Sequence, residues 1–233
     1  MKVKIKGPIV GNSDAWIYEY FGIEATSPSM VDKAIEKANG EDLEVEINSG
    51  GGSVFAGSEI YTALKSYKGD VTVKIVGLAA SAASVIAMAG KKVLMSPTAQ
   101  MMIHNVSSWA AGDYREMEHT AEVLKSANDT IANAYRLKTG KTQEELLRLM
   151  DNETWMTAQK AKEHGFIDEI MFEDLQLAAS TSYSGLLPPE VINKIRNTIK
   201  SPNVGENNNS DFLIQKSKAQ LNLLKLKGEM NNE

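Results

Sequence analysis

Residues 43–76, LEVEINSGGGSVFAGSEIYTALKSYKGDVTVKIV, decide the fold. Leu43, Val45 and Ile47 alternate with acidic neighbours, the period-two pattern of a half-buried strand. Gly50, Gly51 and Gly52 break the run, and Ala56, Ile60, Ala63, Leu64 and Tyr67 then recur at helical spacing. Residues 71–76 restore a strand. Strand, helix and strand in that order make a βαβ unit, and its crossover is right-handed because a right-twisted strand feeding a right-handed helix packs back onto the sheet only that way.

The same alternation extends in both directions. Upstream, Val3, Ile5 and Ile9 begin a strand pattern; Ser27 and Pro28 supply an N-cap and first helical position; Met30, Val31, Ala34, Ile35 and Ala38 give one apolar face, which Gly40 ends. Downstream, Gly77 closes the strand and a short helix of small residues runs to Gly90. Strands follow near residues 92–95 and 100–104, separated by a Ser96-Pro97-Thr98 turn in a hairpin-like excursion. Residues 113–138 form a long helical pattern that Gly140 separates from a second helix, which Thr142 and Glu145 open as a capping box. A last helix over residues 157–164, with Gly165 as its C-cap, leads into a strand at 166–172. These elements predict an α/β domain over residues 1–180. Pro188-Pro189, Ser201-Pro202 and the polar run 203–211 read as a linker over 181–211. Residues 212–233, with Ile214, Leu221, Leu224 and several lysines, read as an amphipathic C-terminal tail.

Composition narrows the chemistry. The chain has 233 residues, 42% hydrophobic and 24% charged, which is ordinary globular usage. It has no cysteine, which removes disulfides, thiolate metal sites, iron–sulfur clusters and a cysteine nucleophile and suits a cytoplasmic protein. Only His104, His119 and His164 could offer imidazole, from distant segments, so neither a metal nor another cofactor is expected. A net charge of -5 argues against nucleic acid and anionic membrane as partners. The apolar stretch 75–90 is too short to span a bilayer, and the N-terminus lacks the pattern of a signal peptide.

Three segments set a polar group at the end of a strand. In Asn48-Ser49-Gly50-Gly51-Gly52-Ser53 the glycines let the backbone approach a ligand and present amide hydrogens, although a Gly-rich turn alone usually only turns. It lacks the Gly-Lys-Ser/Thr ending of a phosphate loop. In the second segment, residues 77–84, Ser81 sits where a strand gives way to a helix; it is either an N-cap or a nucleophile beside amides able to hold an oxyanion. In the third, His104 follows the apolar run 101–103 and is either structural or a general base within reach of Ser81. His119 and His164 read as solvated surface.

Taken together these segments resemble the proteolytic subunit of the Clp protease, in particular its phage relatives that mature the viral head. The resemblance runs from about Ile5 to Phe172. It is carried by Ile47-Asn48-Ser49 with its glycines, Ala56-Gly57 with Ile60-Tyr61, Ala79-Ala80-Ser81, Met102-Ile103-His104, and Thr157-Ala158 through Gly165-Phe166-Ile167-Asp168. It implies a ClpP/crotonase-like α/β spiral of βαβ units with a helical handle, plus the C-terminal helical tail, and a serine endopeptidase working through an acyl-enzyme. It further implies Ser81 as nucleophile, His104 as base, the amides of Gly52 and Ala82 as oxyanion hole, and Glu153 as triad acid where the family usually has Asp, with Asp151 as runner-up. Asp168 is read as structural. The family's Ser-Pro-Gly-Gly is Ser49-Gly50-Gly51-Gly52 here, and its Met-Gly after the nucleophile is Ala82-Ala83.

The expected partners are polypeptide substrates, lying extended between the Gly52 turn and residues 106–111, and a homo-oligomeric ring, heptameric or doubled, with the 113–138 helix where two rings meet. A capsid or scaffold protein is a further candidate. Docking of a Clp ATPase is not expected, because residues 1–6 lead directly into the first strand. Two rivals stay open: a crotonase-like acyl-CoA enzyme, which holds a thioester oxyanion with paired amides and needs no serine, and a non-catalytic assembly or scaffold protein.

Overall fold

The computed structural model describes residues 1–173, which belong to one compact unit; the proposed end of the domain at 180, the linker and the tail lie outside the described residues. In chain order the elements are β1 (Lys2–Lys6), α1 (Ala15–Tyr20), α2 (Pro28–Ala38), β2 (Leu43–Ser49), α3 (Val54–Lys65), β3 (Val71–Ala80), α4 (Ala82–Ala87), β4 (Lys92–Met95), β5 (Gln100–Ile103), α5 (Tyr114–Thr139), α6 (Gln143–Asp151), β6 (Thr154–Thr157), α7 (Ala158–Glu163) and β7 (Glu169–Ile170). The first four strands of the sheet, β1, β2, β3 and β4, are parallel in that order, with β7 parallel beside β4. This is the α/β architecture that the alternating pattern predicts and the arrangement of βαβ units that the resemblance implies. Among the described residues, no helix is long and apolar enough to cross a membrane.

β3 differs from expectation in a way that builds the site. Gly77 does not end it. Its pairing with β2 jumps from Ile47↔Ile75 to Ser49↔Ala79, a bulge that leaves extra residues on β3. Asn48 fills that bulge, its Oδ1 accepting from the Leu78 amide at 3.1 Å, and a Cβ on residue 77 would sit 2.5 Å from that same oxygen. A Cβ there would displace the Asn48 side chain from the bulge, and the strand resumes through Leu78, Ala79 and Ala80.

The hairpin-like reading of residues 92–104 is also corrected. β4 pairs with the first half of β3, Thr72↔Lys92 through Ile75↔Met95, whereas β5 pairs with the second half, Leu78↔Gln100 through Ala80↔Met102. Both are parallel to β3, and they follow one another along its edge rather than pairing together. A ten-residue strand can offer one edge to two four-residue neighbours, which local alternation cannot reveal. The sheet then closes with β6, antiparallel to β5, an element too short to leave a periodic trace. α1 was likewise absent from the sequence pattern, since none of its residues is buried. The expected strand at 166–172 shrinks to two residues, because Phe166 and Ile167 are buried in the loop that leaves α7.

Capping chemistry held where two side chains cooperate. Asp113 with Glu116, and Thr142 with Glu145, form reciprocal capping boxes at the starts of α5 and α6. Ser27 makes no side-chain cap bond, and α2 ends at left-handed Asn39, one residue before Gly40. α4 is wholly buried and touches α3, α5 and the sheet, so residues 82–90 form the centre of the core. α5 buries only Ile131, Ala132, Ala134 and Tyr135; its N-terminal turns bury nothing, as a handle would.

Asp168 behaves as a structural residue. Its Oδ2 accepts from the Val93 amide and from Lys138 Nζ, both at 2.6 Å, linking β4, α5 and the approach to β7. The Lys138 side chain is 11% exposed, so removing its carboxylate leaves a shielded ammonium unpaired. Asp168→Ala is expected to cost about 2 kcal/mol of unfolding free energy, read from urea denaturation as a lower midpoint with an unchanged slope.

Candidate active site

Ser81 stands between β3 and α4 at φ 53 and ψ -128, a backbone conformation that costs a residue with a side chain about 1–3 kcal/mol. Its amide donates to the Met102 carbonyl at 3.0 Å, extending the pairing of β3 with β5. Its carbonyl accepts from the Ser84 amide at 2.9 Å and from Ser84 Oγ at 2.6 Å. The Ser81 hydroxyl makes no cap bond to α4, so the N-cap reading falls. Instead Ser81 Oγ lies 2.8 Å from Nε2 of His104. The sheet explains this contact: Ala80 is paired with Met102, so one strand delivers Ser81 and its parallel neighbour delivers His104 at the same end.

The glycine turn completes the cleft. Ser49 Oγ donates to the Gly7 carbonyl at 2.6 Å and accepts from the Gly51 amide at 3.1 Å, which holds the turn against the segment after β1. Gly51 has φ 95, and a Cβ there would lie 2.7 Å from both Ser81 Cβ and the Ala80 carbonyl oxygen. Gly52 has φ 149, and a Cβ there would lie 2.2 Å from the carbonyl oxygen of Ile9. A side chain at either position would force its neighbours to shift. Among the hydrogen bonds of the described residues, the amides of Gly52 and Ala82 have no acceptor; Ala82 opens α4, where the first amides have no carbonyl a turn earlier. Both residues line a cleft of about 220 Å³ with Ser81 and His104, and Val54, Val85, Met102 and Ile131 supply its apolar walls.

The two acids do not meet the imidazole. Glu153 has φ 43, and its Oε1 accepts from the Trp155 indole at 3.2 Å, two residues along its own segment. Asp151 Oδ1 accepts from Asn105 Nδ2 at 2.8 Å. Neither carboxylate hydrogen-bonds to the His104 ring in this structure. The register nevertheless separates them: β5 and β6 pair Ile103 with Thr154, so Glu153 is one residue, and Asp151 three residues, before the partner of the residue that precedes His104. His119 is exposed, whereas His164 is half-buried with its ring centroid 6.5 Å from that of Phe166, less solvated than its sequence context suggests. Among the described residues no three His, Cys, Asp or Glu side chains gather as metal ligands.

Several residues that shape the site carried no functional reading in the sequence. Ser49 could have been found, since a hydroxyl at the head of a glycine turn commonly bonds the backbone beyond it. Ser84 could not, because it looks like any other small residue of α4. Its hydroxyl also contacts Tyr135 at 2.8 Å, and burial pushes the Tyr135 phenol well above its ordinary pKa, so that it stays protonated.

A hydroxyl on an imidazole, flanked by two unpaired amides in a partly apolar cleft, is an arrangement suited to acyl transfer. Residues 33–174 match the family described as Clp protease. The chain belongs to the Clp protease family. Two proteins from strains of Bacteroides fragilis, each named ATP-dependent Clp protease proteolytic subunit, are 36% identical to it over 136 residues, or 58% of this chain. The chain covers 66% and 62% of their lengths, less than two thirds of either. The Clp protease match contains Gly52, Ser81, His104 and Glu153, but β1 and Ile9, against which the Gly52 turn is fixed, precede it.

The contact between Gly51 and Ser81 yields a direct expectation for this Clp protease domain. Gly51→Ala should leave the fold intact by circular dichroism yet slow labelling of Ser81 by a fluorophosphonate about 100-fold, since a displacement near 1 Å has that effect on attack geometry.

Proposed function

We propose that this chain is a serine endopeptidase that cleaves extended polypeptides through an acyl-enzyme. The observation that carries the reading is the 2.8 Å contact between Ser81 Oγ and His104 Nε2 beside two unpaired amides. His104 takes the hydroxyl proton as Ser81 attacks the peptide carbonyl, and the amides of Gly52 and Ala82 receive the oxyanion. His104 then returns the proton to the departing amine, and water repeats the sequence to release the acid. Removal of one such amide donor costs roughly 10² to 10³ in turnover, so the glycine turn takes part in the chemistry, though by less than the nucleophile or base.

Glu153 is our assignment for the third group. It directly precedes Thr154, the partner of Ile103 where β5 leads into His104, it aligns with the acid that the resemblance implies, and it would have to release the Trp155 indole to turn to the imidazole. Asp151 is engaged by Asn105, which leaves it the weaker candidate. The substrate lies between the Gly52 turn and residues 106–111 as an added strand. Support comes from that segment having no regular secondary structure and, among the described residues, no backbone-to-backbone hydrogen bond; the Val106 amide donates to Asn128 Oδ1 at 2.7 Å, and the main-chain amides beyond it are open to pairing. Specificity is then dominated by backbone, with the apolar walls selecting one side chain. The resemblance to phage head-maturation proteases favours a capsid or scaffold protein as substrate, and family membership favours a homo-oligomeric ring.

A crotonase-like acyl-CoA enzyme has no need of a serine hydroxyl bonded to an imidazole, nor does a scaffold protein, and the Ser81–His104 pair disfavours both. Fluorophosphonate labelling and peptide hydrolysis by the full chain test the proposal. Wild type should be labelled at residue 81, Ser81→Ala should not, and His104→Ala should lose at least about 10⁴-fold in kcat. Glu153→Ala should lose about 10²-fold or more while Asp151→Ala stays within about threefold; the reverse order would move the acid to Asp151. Binding of acyl-CoA without labelling would replace the peptidase reading.

A further inference from the structure

Ser84 and Tyr135 are both fully buried and lie 51 residues apart in sequence, on α4 and α5. Ser84 Oγ is 2.6 Å from the Ser81 carbonyl oxygen and 2.8 Å from Tyr135 Oη. A carbonyl can only accept, so the one hydroxyl proton of Ser84 goes to Ser81, and Tyr135 must donate into Ser84 Oγ. The chain of bonds has a single direction, from the Tyr135 hydroxyl through Ser84 to the Ser81 carbonyl.

Each bond taken alone has an ordinary explanation. A serine within a helix often bonds a carbonyl one turn back, and a buried tyrosine hydroxyl finds a partner. What sets this pair apart is the carbonyl at its end. It belongs to the strained residue, and no other side chain of the described residues bonds to it. It also forms one end of the planar unit whose other end is the Ala82 amide, with C=O and N–H pointing in opposite directions. Holding the carbonyl towards α4 and α5 therefore turns the Ala82 N–H the other way, and Ala82 lines the cleft. Tyr135 is a rigid anchor, its ring edge-on to Phe166 at 5.6 Å and one helical turn from Ile131 of the cleft wall.

We propose that Tyr135 and Ser84 are positioning residues that aim the Ala82 amide at the developing oxyanion, a role that rests on the peptidase reading. Neither touches substrate. They add a side-chain bond to those of the Ser84 and Val85 amides, which donate to the same carbonyl at 2.9 and 3.4 Å, and so fix the tilt of the Ser81–Ala82 peptide plane more closely than the helix backbone alone does. Loss of aim should weaken transition-state binding and leave substrate binding almost unchanged, because the oxyanion forms only during attack.

The test uses the full chain with Ser84→Ala, Tyr135→Phe and the double variant, measured on a fluorogenic peptide and by amide hydrogen exchange of the segment 79–88. Ser84→Ala is expected to lower kcat about tenfold and Tyr135→Phe about threefold, both less than the loss of a whole donor, with KM within about twofold of wild type. The double variant should be no slower than Ser84→Ala, since the tyrosine acts only through the serine. Exchange at residues 81–84 should quicken in each variant while the melting temperature stays close to wild type. Unchanged kcat and exchange in folded variants would overturn the positioning role and leave the peptidase reading intact, as would losses that merely track the melting temperature. If wild type neither hydrolyses peptide nor takes the label, the peptidase reading fails and the oxyanion role fails with it, whereas faster exchange in the variants would still locate the anchor of this peptide plane.

Discussion

The edge that β3 shares with β5 is the constraint on which the cleft depends. The Ser81 amide reaches the Met102 carbonyl because the bulge at residues 76–78 lets β3 continue past its pairing with β4 and take a second parallel neighbour. Without those last residues the strand would stop at Gly77, and Ser81 and His104 would have no common frame. A polar side chain, Asn48, and a glycine maintain the bulge; a Cβ at residue 77 and the Asn48 carbonyl oxygen could not share the space. The contact that carries the functional reading is thus a consequence of strand length and register.

Strain and hydrogen bonding oppose each other around Ser81. Its backbone conformation costs about 1–3 kcal/mol, and the bonds to Met102 and Ser84 each return about 1 kcal/mol, so the local balance is close. Gly51 packs against the Ser81 side chain from one direction, and α4, entirely buried, fixes it from another. Ser81 is thus held on several sides and open towards the cleft. Preorganisation of this kind is what an oxyanion site needs, since donors that must reorient during attack lose much of their value.

Every residue that lines the cleft lies within the segment that matches the Clp protease family. Ser49-Gly50-Gly51-Gly52 retains a turn in which a Cβ at either of two successive positions would force its neighbours to shift. Glu153 directly precedes Thr154, the β6 partner of Ile103, and its carboxylate accepts from the Trp155 indole rather than from His104.

Much of this was legible in the chain itself. Local periodicity determined β2, α3 and the first half of β3, and paired capping residues determined where α5 and α6 begin, because those signals act between residues a few positions apart. The order of small and polar residues also singled out Ser81, His104 and the glycine turn. Pairing partners were not legible: that β4 and β5 share one edge of β3, that β6 runs against β5, and that Tyr135 meets Ser84 are facts about segments distant in sequence. Register depends on how whole elements pack against a common core, and a hydroxyl buried in α4 has the same local sequence whether or not an α5 tyrosine bonds to it. The residue types capable of the chemistry came from the sequence by itself, and only the tertiary structure decided which of them touch, because contact between remote segments is settled by the burial and hydrogen bonding of the fold as a whole.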